Sequence, residues 1–252
     1  MISDPLFYVA AVPAVVLVGL GKGGFVGLGS LALPLLALVT SPVRAAAVML
    51  PILIVQDLVS VWAYRRRWDR RSLAALLPGA VIGIGLGYLL AARVSDAAVQ
   101  LAVGLISIGF ALRRVYVERL AVPAMRPKPP TAAGWFWGAV SGFTSMIANA
   151  GGPPFQIYIL PQQLPHELFV GTGVLFFALV NWIKVPPFIA LGQLTRENLA
   201  TSVTLFPIAI AATWAGVLLV RRVSGQRFYA IIYALLTLVG LKLTWDGLTG
   251  LL

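Results

Sequence analysis

The chain has 252 residues, 60% of them hydrophobic and only 11% charged, with 19 Lys and Arg against 8 Asp and Glu for a formal net charge of +11. A soluble domain carries about 25% charged residues, so this sequence cannot coat a water-facing globule, and with a mean hydropathy of +0.93 its natural solvent is lipid. The lack of cysteine and the single histidine, His166, exclude disulfides, thiolate chemistry and a Cys/His metal site.

Taken in chain order, the first apolar region covers residues 5–40. It exceeds the roughly 20 residues that one helical crossing takes, and "GLGKGGFVGLGS", Gly19 to Ser30, interrupts it. Residues 1–4 carry no basic group, so no cleavable signal peptide is expected and this region stays in the mature chain. Apolar spans follow at 45–64, 73–91 and 97–113, then a basic, cytoplasmic linker over 116–131. Residues 132–165 form a second overlong region, broken at "NAGGPP", Asn149 to Pro154. Spans at 167–190, 198–220 and 228–248 complete the chain.

The order is thus a broken hairpin and three spans, twice. The expected fold is an all-α polytopic membrane protein of two repeats, 1–115 and 132–252. "LLAARVS" (Leu89 to Ser95) echoes "LLVRRVS" (Leu218 to Ser224), and Pro78 and Gly87 fall on Pro207 and Gly216 at the same offset. If each broken region returns to the side it entered, the second repeat is inverted. The Arg65–Arg71, Arg113–Lys128 and Arg221–Arg227 blocks then share one side, while Arg44, Arg93, Arg196 and Lys242 lie on the other. That asymmetry is the positive-inside pattern, and it places the N-terminus outside the inner membrane. A parallel duplication would move the last basic block outward.

Irregular backbone persists in hydrocarbon only where protein or a polar cavity surrounds it. Interrupted segments at matching places in two halves point to a transporter's substrate site. Each break ends one helix and opens another, whose first N–H groups favour an anion. Gly21, Gly23 and Gly24 allow close approach, and Lys22 adds a full charge. In the second break Asn149 caps or donates, Gly151 and Gly152 offer backbone, and Pro153 suits a first turn. Gly19, Gly21 and Gly24 also satisfy G-x-G-x-x-G, but without a βαβ context that match carries nothing. Isolated Gly83 and Gly87 read as packing contacts.

Polar groups inside spans are candidates by default. Asp57, beside Gln56, can pair with Lys22 or Lys184, or carry a coupling proton. Asn181 and Lys184 lie one turn apart on one helix face. Counted from Pro42 and Pro165, Asp57 and Asn181 occupy nearly equivalent places. His166 and Glu167 belong to an interface, as do Trp62, Trp135, Trp137 and Trp245 near span ends.

The segments "GLGKGGFVGLGSLALPLLAL", "AAAVMLPILIVQDLVSVWAYRRRWD", "GFTSMIANAGGPPFQIYILPQ" and "FVGTGVLFFALVNWIKVPPFIALG" resemble the TauE/SafE family, the sulfite-exporter or toluene-sulfonate-uptake permeases. The likeness runs from about residue 10 to 245. It implies transport of sulfur-containing anions such as sulfite, thiosulfate or organosulfonates across a bacterial inner membrane. It also marks Gly21, Lys22, Gly23, Gly24, Asn149, Gly151, Gly152 and Pro153 as motif positions. Phe25 and Val26 interrupt the glycine run after Lys22, a departure that bears on which anion fits.

The expected function is a secondary transporter of a small anion working by alternating access. Lys22 and the hairpin tips, with Asn181, bind the substrate; Asp57, Gln56 and Lys184 gate or couple to H+ or Na+. No cofactor, metal or nucleic acid is expected, and no enzyme activity. A passive anion channel needs the same donors without bistable halves; an intramembrane enzyme would want an acid/base pair or metal cluster.

Overall fold

A computed structural model of the chain describes every residue except 1, 3, 26–27, 38, 41, 91–94, 96, 99, 103, 106, 110–111, 113–128, 223–224 and 252. The described residues are helical, with no strand among them. Most of the linker expected over 116–131 lies outside the described residues. So do Arg93, Arg113, Arg114, Arg119, Arg126, Lys128 and parts of the 97–113 span and of both sequence echoes.

The helices are α1 (Pro5–Gly23), α2 (Ala32–Ala37) after a 3-10 turn at Leu28–Leu31, α3 (Pro42–Tyr64), α4 (Arg70–Leu90) and a short apolar α5 (Gln100–Gly109). They continue with α6 (Thr131–Ala148), α7 (Gly152–Ile159), a 3-10 turn at Leu160–Gln162, α8 (His166–Ala190), α9 (Arg196–Val220) and α10 (Gly225–Thr249). Five helices, α1, α3, α4, α8 and α9, are long and apolar enough to cross a bilayer. Side chains start two of them: Asp4 accepts from the Leu6 N–H at 2.9 Å, and Thr195 from that of Asn198 at 3.2 Å.

α1 differs from a half-helix ending mid-membrane. Its 19 residues rise about 28 Å, so the glycines stop it only after a full span's length. Pro13 does not end it. The chain then reverses after Gly24, and the Leu28–Leu31 turn comes back along α1, where Gly29 lies beside Gly21 and Val18.

Two compact units divide the helices, each drawing on both halves of the sequence. One holds Met1–Asp69 with Val170–Ser224; the other holds Arg70–Phe169 with Gly225–Leu252.

In the first unit α1 and α9 run parallel, Gly19 against Ala212 and Gly23 against Gly216. A methyl on Gly23 would lie 2.5 Å from the Gly216 backbone, so only glycine permits this approach. α3 and α8 run antiparallel: Asp57 meets Asn181, the Arg67 carbonyl sits on Gly171, and the Asp69 N–H donates to Thr172 Oγ1 at 2.8 Å. Phe7, Val15, Val18, Leu36, Val48 and Leu205 belong to the core that joins α1, α2, α3 and α9.

The ends of this unit are chemically distinct. The Tyr64 hydroxyl donates to the Gly23 carbonyl at 2.8 Å, and Gly24 abuts Val220. The C-terminal ends of α1, α3 and α9 therefore gather together, with exposed Arg65, Arg66, Arg67, Arg221 and Arg222 following them. At the other end the Ile2 N–H donates to Thr201 Oγ1 at 2.9 Å, and Arg44 pairs with Glu197 at 2.7 Å.

In the second unit α4 and α6 run parallel. Gly79 and Gly83 meet Ala139, and Gly134, Gly138 and Gly142 meet Ala75, Leu76 and Ala80. Gly83 and Gly87 are thus packing glycines. α5 and α10 run antiparallel, Leu101 against Gly247 and Gly104 against Thr244.

Candidate functional site

The first break puts Lys22 in the last turn of α1, at the end where free carbonyls carry partial negative charge. The α1 end is closed by its own backbone: the N–H of Gly24 returns to Gly21 and Leu20, and that of Phe25 to Leu20. Gly24 has φ 145°, a conformation open to glycine and strained for other residues. The amides of Gly24 and Phe25 are therefore engaged in capping, and Gly23 and Gly24 are packed against α9. Gly21 faces the returning Gly29.

From this end the Lys22 side chain reaches Asp57 on α3, Nζ to Oδ1 at 2.5 Å, with the two side chains 12% and 1% exposed. The second carboxylate oxygen, Oδ2, accepts from Asn181 Nδ2 at 2.7 Å. Lys184, also 1% exposed, lies one turn further along α8 within electrostatic range of both Lys22 and Asp57. Phe177 lies 5.8 Å from the Lys22 ammonium and Phe188 lies 5.7 Å from that of Lys184, ring centroid to Nζ. Gln56 is buried and donates to the Val15 carbonyl at 3.1 Å, while its Oε1 has no partner among the described residues.

Breaking such a pair by removing one member costs about 3–5 kcal/mol. The cluster is therefore a large electrostatic commitment inside an apolar body.

The second break is built differently. Asn149 closes α6 with φ 49°, and the N–H groups of Asn149 and Ala150 both return to the Thr144 carbonyl. Hydroxyls take the carbonyls of the turn: Ser141 donates to Gly151 at 2.7 Å and Thr144 to Ala150 at 3.2 Å. Pro153 and Pro154, near the start of α7, have no N–H, and the Phe155 N–H bonds the Gly151 carbonyl at 3.3 Å. The N–H groups of Gly151 and Gly152 are the turn's donors that meet no acceptor among the described residues.

Of the residues singled out in the sequence, Lys22, Asp57, Asn181 and Lys184 come together in the first unit, with Gln56 beside them on α3. Asn149, Gly151, Gly152 and Pro153 form the turn in the second unit. Tyr64, Phe177, Phe188 and Ser141 were not singled out. Ser141, one turn ahead of Thr144 and just before the break, is a hydroxyl that sequence could have flagged. Nothing distinguishes Phe177 or Phe188 from other core aromatics until the ammonium groups are placed.

The model of the family described as sulfite exporter TauE/SafE matches residues 11–243. The chain belongs to that family. No curated protein and no solved structure matches the chain. TauE/SafE membership, with five membrane-capable helices, makes this a multi-pass membrane protein of an anion-transporting family. Both breaks, and the whole Lys22–Asp57–Asn181–Lys184 cluster, fall inside the matched range.

Proposed function

We propose that this TauE/SafE protein is a secondary transporter of a small sulfur-containing anion across the inner membrane, with Lys22, Lys184 and Asn181 as its charged and polar ligands. The observation that carries it is the buried cluster around Asp57, in which ammonium groups and an amide converge inside an apolar unit. Asp57 holds Lys22 and orients Asn181, and so serves as counter-ion and gate. Asp57, Lys184 and Gln56 are assigned to gating or coupling, with Asp57 as the group that can carry H+ and the free buried Gln56 oxygen as one that can bind Na+. In the second unit the Gly151 and Gly152 amides, shaped by Asn149 and Pro153, serve as anion contacts. Gly21, Gly23 and Gly24 shape the Lys22 turn.

The halves are read as inverted repeats moving in alternating access. Antiparallel α3 and α8, and antiparallel α5 and α10, support this, because each pair takes corresponding places in the two halves. A parallel duplication would run corresponding helices in the same direction. The contact between Asp57 and Asn181, at nearly equivalent places in the two proposed repeats, fits a local pseudo-twofold. The shared end of the Arg65–Arg67 and Arg221–Arg222 groups supports an outward N-terminus.

Sulfite counterflow in proteoliposomes tests the carrier assignment. Internal unlabelled sulfite is expected to accelerate uptake of labelled sulfite in a saturable way. Anion currents far above a carrier's turnover, with no counterflow, would mean a channel.

A further inference from the structure

The basic end of the first unit carries Arg65 and Arg66 just after α3, and Arg221 and Arg222 just after α9, all of them exposed. None of these four arginines forms an ion pair among the described residues. The two helix ends are drawn to one place by the bond from the Tyr64 hydroxyl to Gly23 and by the contact of Gly24 with Val220. Arg65 and Arg221 are the next residues along each chain.

Ahead of the charges each helix presents an apolar stripe. On α3, Leu58 and Trp62 are 61% and 58% exposed and lie one turn apart, leading to Arg65. On α9, half-buried Trp214 and exposed Leu218 take the same spacing and lead to Arg221 and Arg222. The stripes meet, because the Trp62 and Trp214 rings pack edge to face with centroids 5.6 Å apart. The Arg65 guanidinium lies 5.0 Å from the centre of the Trp62 ring, and its Nη1 donates to the Trp62 carbonyl at 3.0 Å. That contact uses one N–H of the fork and holds the rest in a fixed plane.

Arginines at a span end ordinarily reach into water as flexible chains, and the positive-inside pattern asks no more of them. Here a guanidinium is held on an aromatic floor that joins two helices, next to exposed apolar side chains. Such a surface complements an amphiphile, with donors for a phosphate and a flat apolar bed for the methylenes beside it. We propose that Trp62 and Arg65, with Trp214, Arg221 and Arg222, form a binding surface for an anionic phospholipid. The phosphate sits on the guanidinium groups, and an acyl chain lies along Leu58 and Leu218. A zwitterionic lipid carries its own cation to the arginines and loses most of the attraction. This assignment is independent of which anion the protein carries.

Binding of dioleoylphosphatidylglycerol and of dioleoylphosphatidylcholine to the purified full chain in neutral detergent tests it, read by native mass spectrometry and by melting temperature. At equal mole fraction phosphatidylglycerol is expected to be retained at least about tenfold more, and it alone is expected to raise the melting temperature. Arg65→Gln combined with Arg221→Gln is expected to erase most of that preference, and Arg196→Gln, at the opposite end, to leave it intact. Trp62→Ala keeps every charge yet is expected to lower phosphatidylglycerol retention severalfold, which attraction by charge alone would not do. Equal retention of the two lipids overturns the proposal. So does a preference that survives in the double variant, or one that Arg196→Gln abolishes as fully. Glycerol phosphate, a headgroup without chains, is expected to give no shift at the same concentration. A shift matching that of the lipid would make the patch a site for small anions and overturn the lipid assignment. If the double variant fails to fold, the three ligands compared on the wild type and on Arg196→Gln decide the matter.

Discussion

Lys22 and Asp57 satisfy each other as an ion pair in a nonpolar interior. Removing one partner strands the other. Lys22→Met and Asp57→Leu are each expected to destabilise the protein by about 3–5 kcal/mol, with the double variant closer to wild type than either single one. Unfolding in detergent for the four proteins of that cycle measures the coupling; additive losses would show that the pair contributes nothing as a pair. Asp57 and Lys184 were legible in the sequence because ionisable groups are rare in such apolar spans. Their arrangement was not. Which of two lysines takes the carboxylate depends on helix direction and on a side chain reaching back from the α1 end, and neither is written in local sequence. The role of Tyr64 was equally hidden, since a tyrosine at a span end is already explained by the interface.

Among the elements, the glycines carry more than one message. Sequence marked Gly19 to Gly24 correctly as a place where a helix stops, and the stop comes at Gly24, whose φ of 145° takes the chain out of the helix. It did not reveal that Gly19 and Gly23 let α1 touch α9, since the partner, Gly216, lies in a distant segment. Gly216→Leu is expected to cost at least about 1–3 kcal/mol, the usual penalty for overfilling a packed contact, and a lowered melting temperature checks it. Gly85→Ala is the control: nothing lies within 4 Å of a methyl there. It is expected to leave stability unchanged or raise it by up to about 1 kcal/mol through helix propensity. The second break was legible in place and composition, yet only the fold shows that Ser141 and Thr144 take up its carbonyls.

For the molecule as a whole, the proposed repeat rests on segment order, and the family was visible in the residues of the two breaks. The proposed topology rests on charge bookkeeping, and the helix directions within each unit add support to it. The chain contains no cysteine, so single cysteines report sidedness cleanly. Arg66→Cys, at the basic end, is expected to react with an impermeant maleimide only after cells are permeabilised. Leu191→Cys, exposed after α8, is expected to react in intact cells. Labelling of both from the same side would refute the orientation.

The proposed anion site depends above all on the two lysines gathered near Asp57. Lys184→Gln removes one ammonium group while keeping the Lys22–Asp57 pair whole, so the protein is expected to stay folded. A bound ligand raises apparent stability by mass action, and sulfite at saturating concentration is expected to raise the melting temperature of the purified wild type. For Lys184→Gln the sulfite-dependent rise should vanish or fall to a small fraction of it. A rise equal to that of the wild type would contradict the assignment.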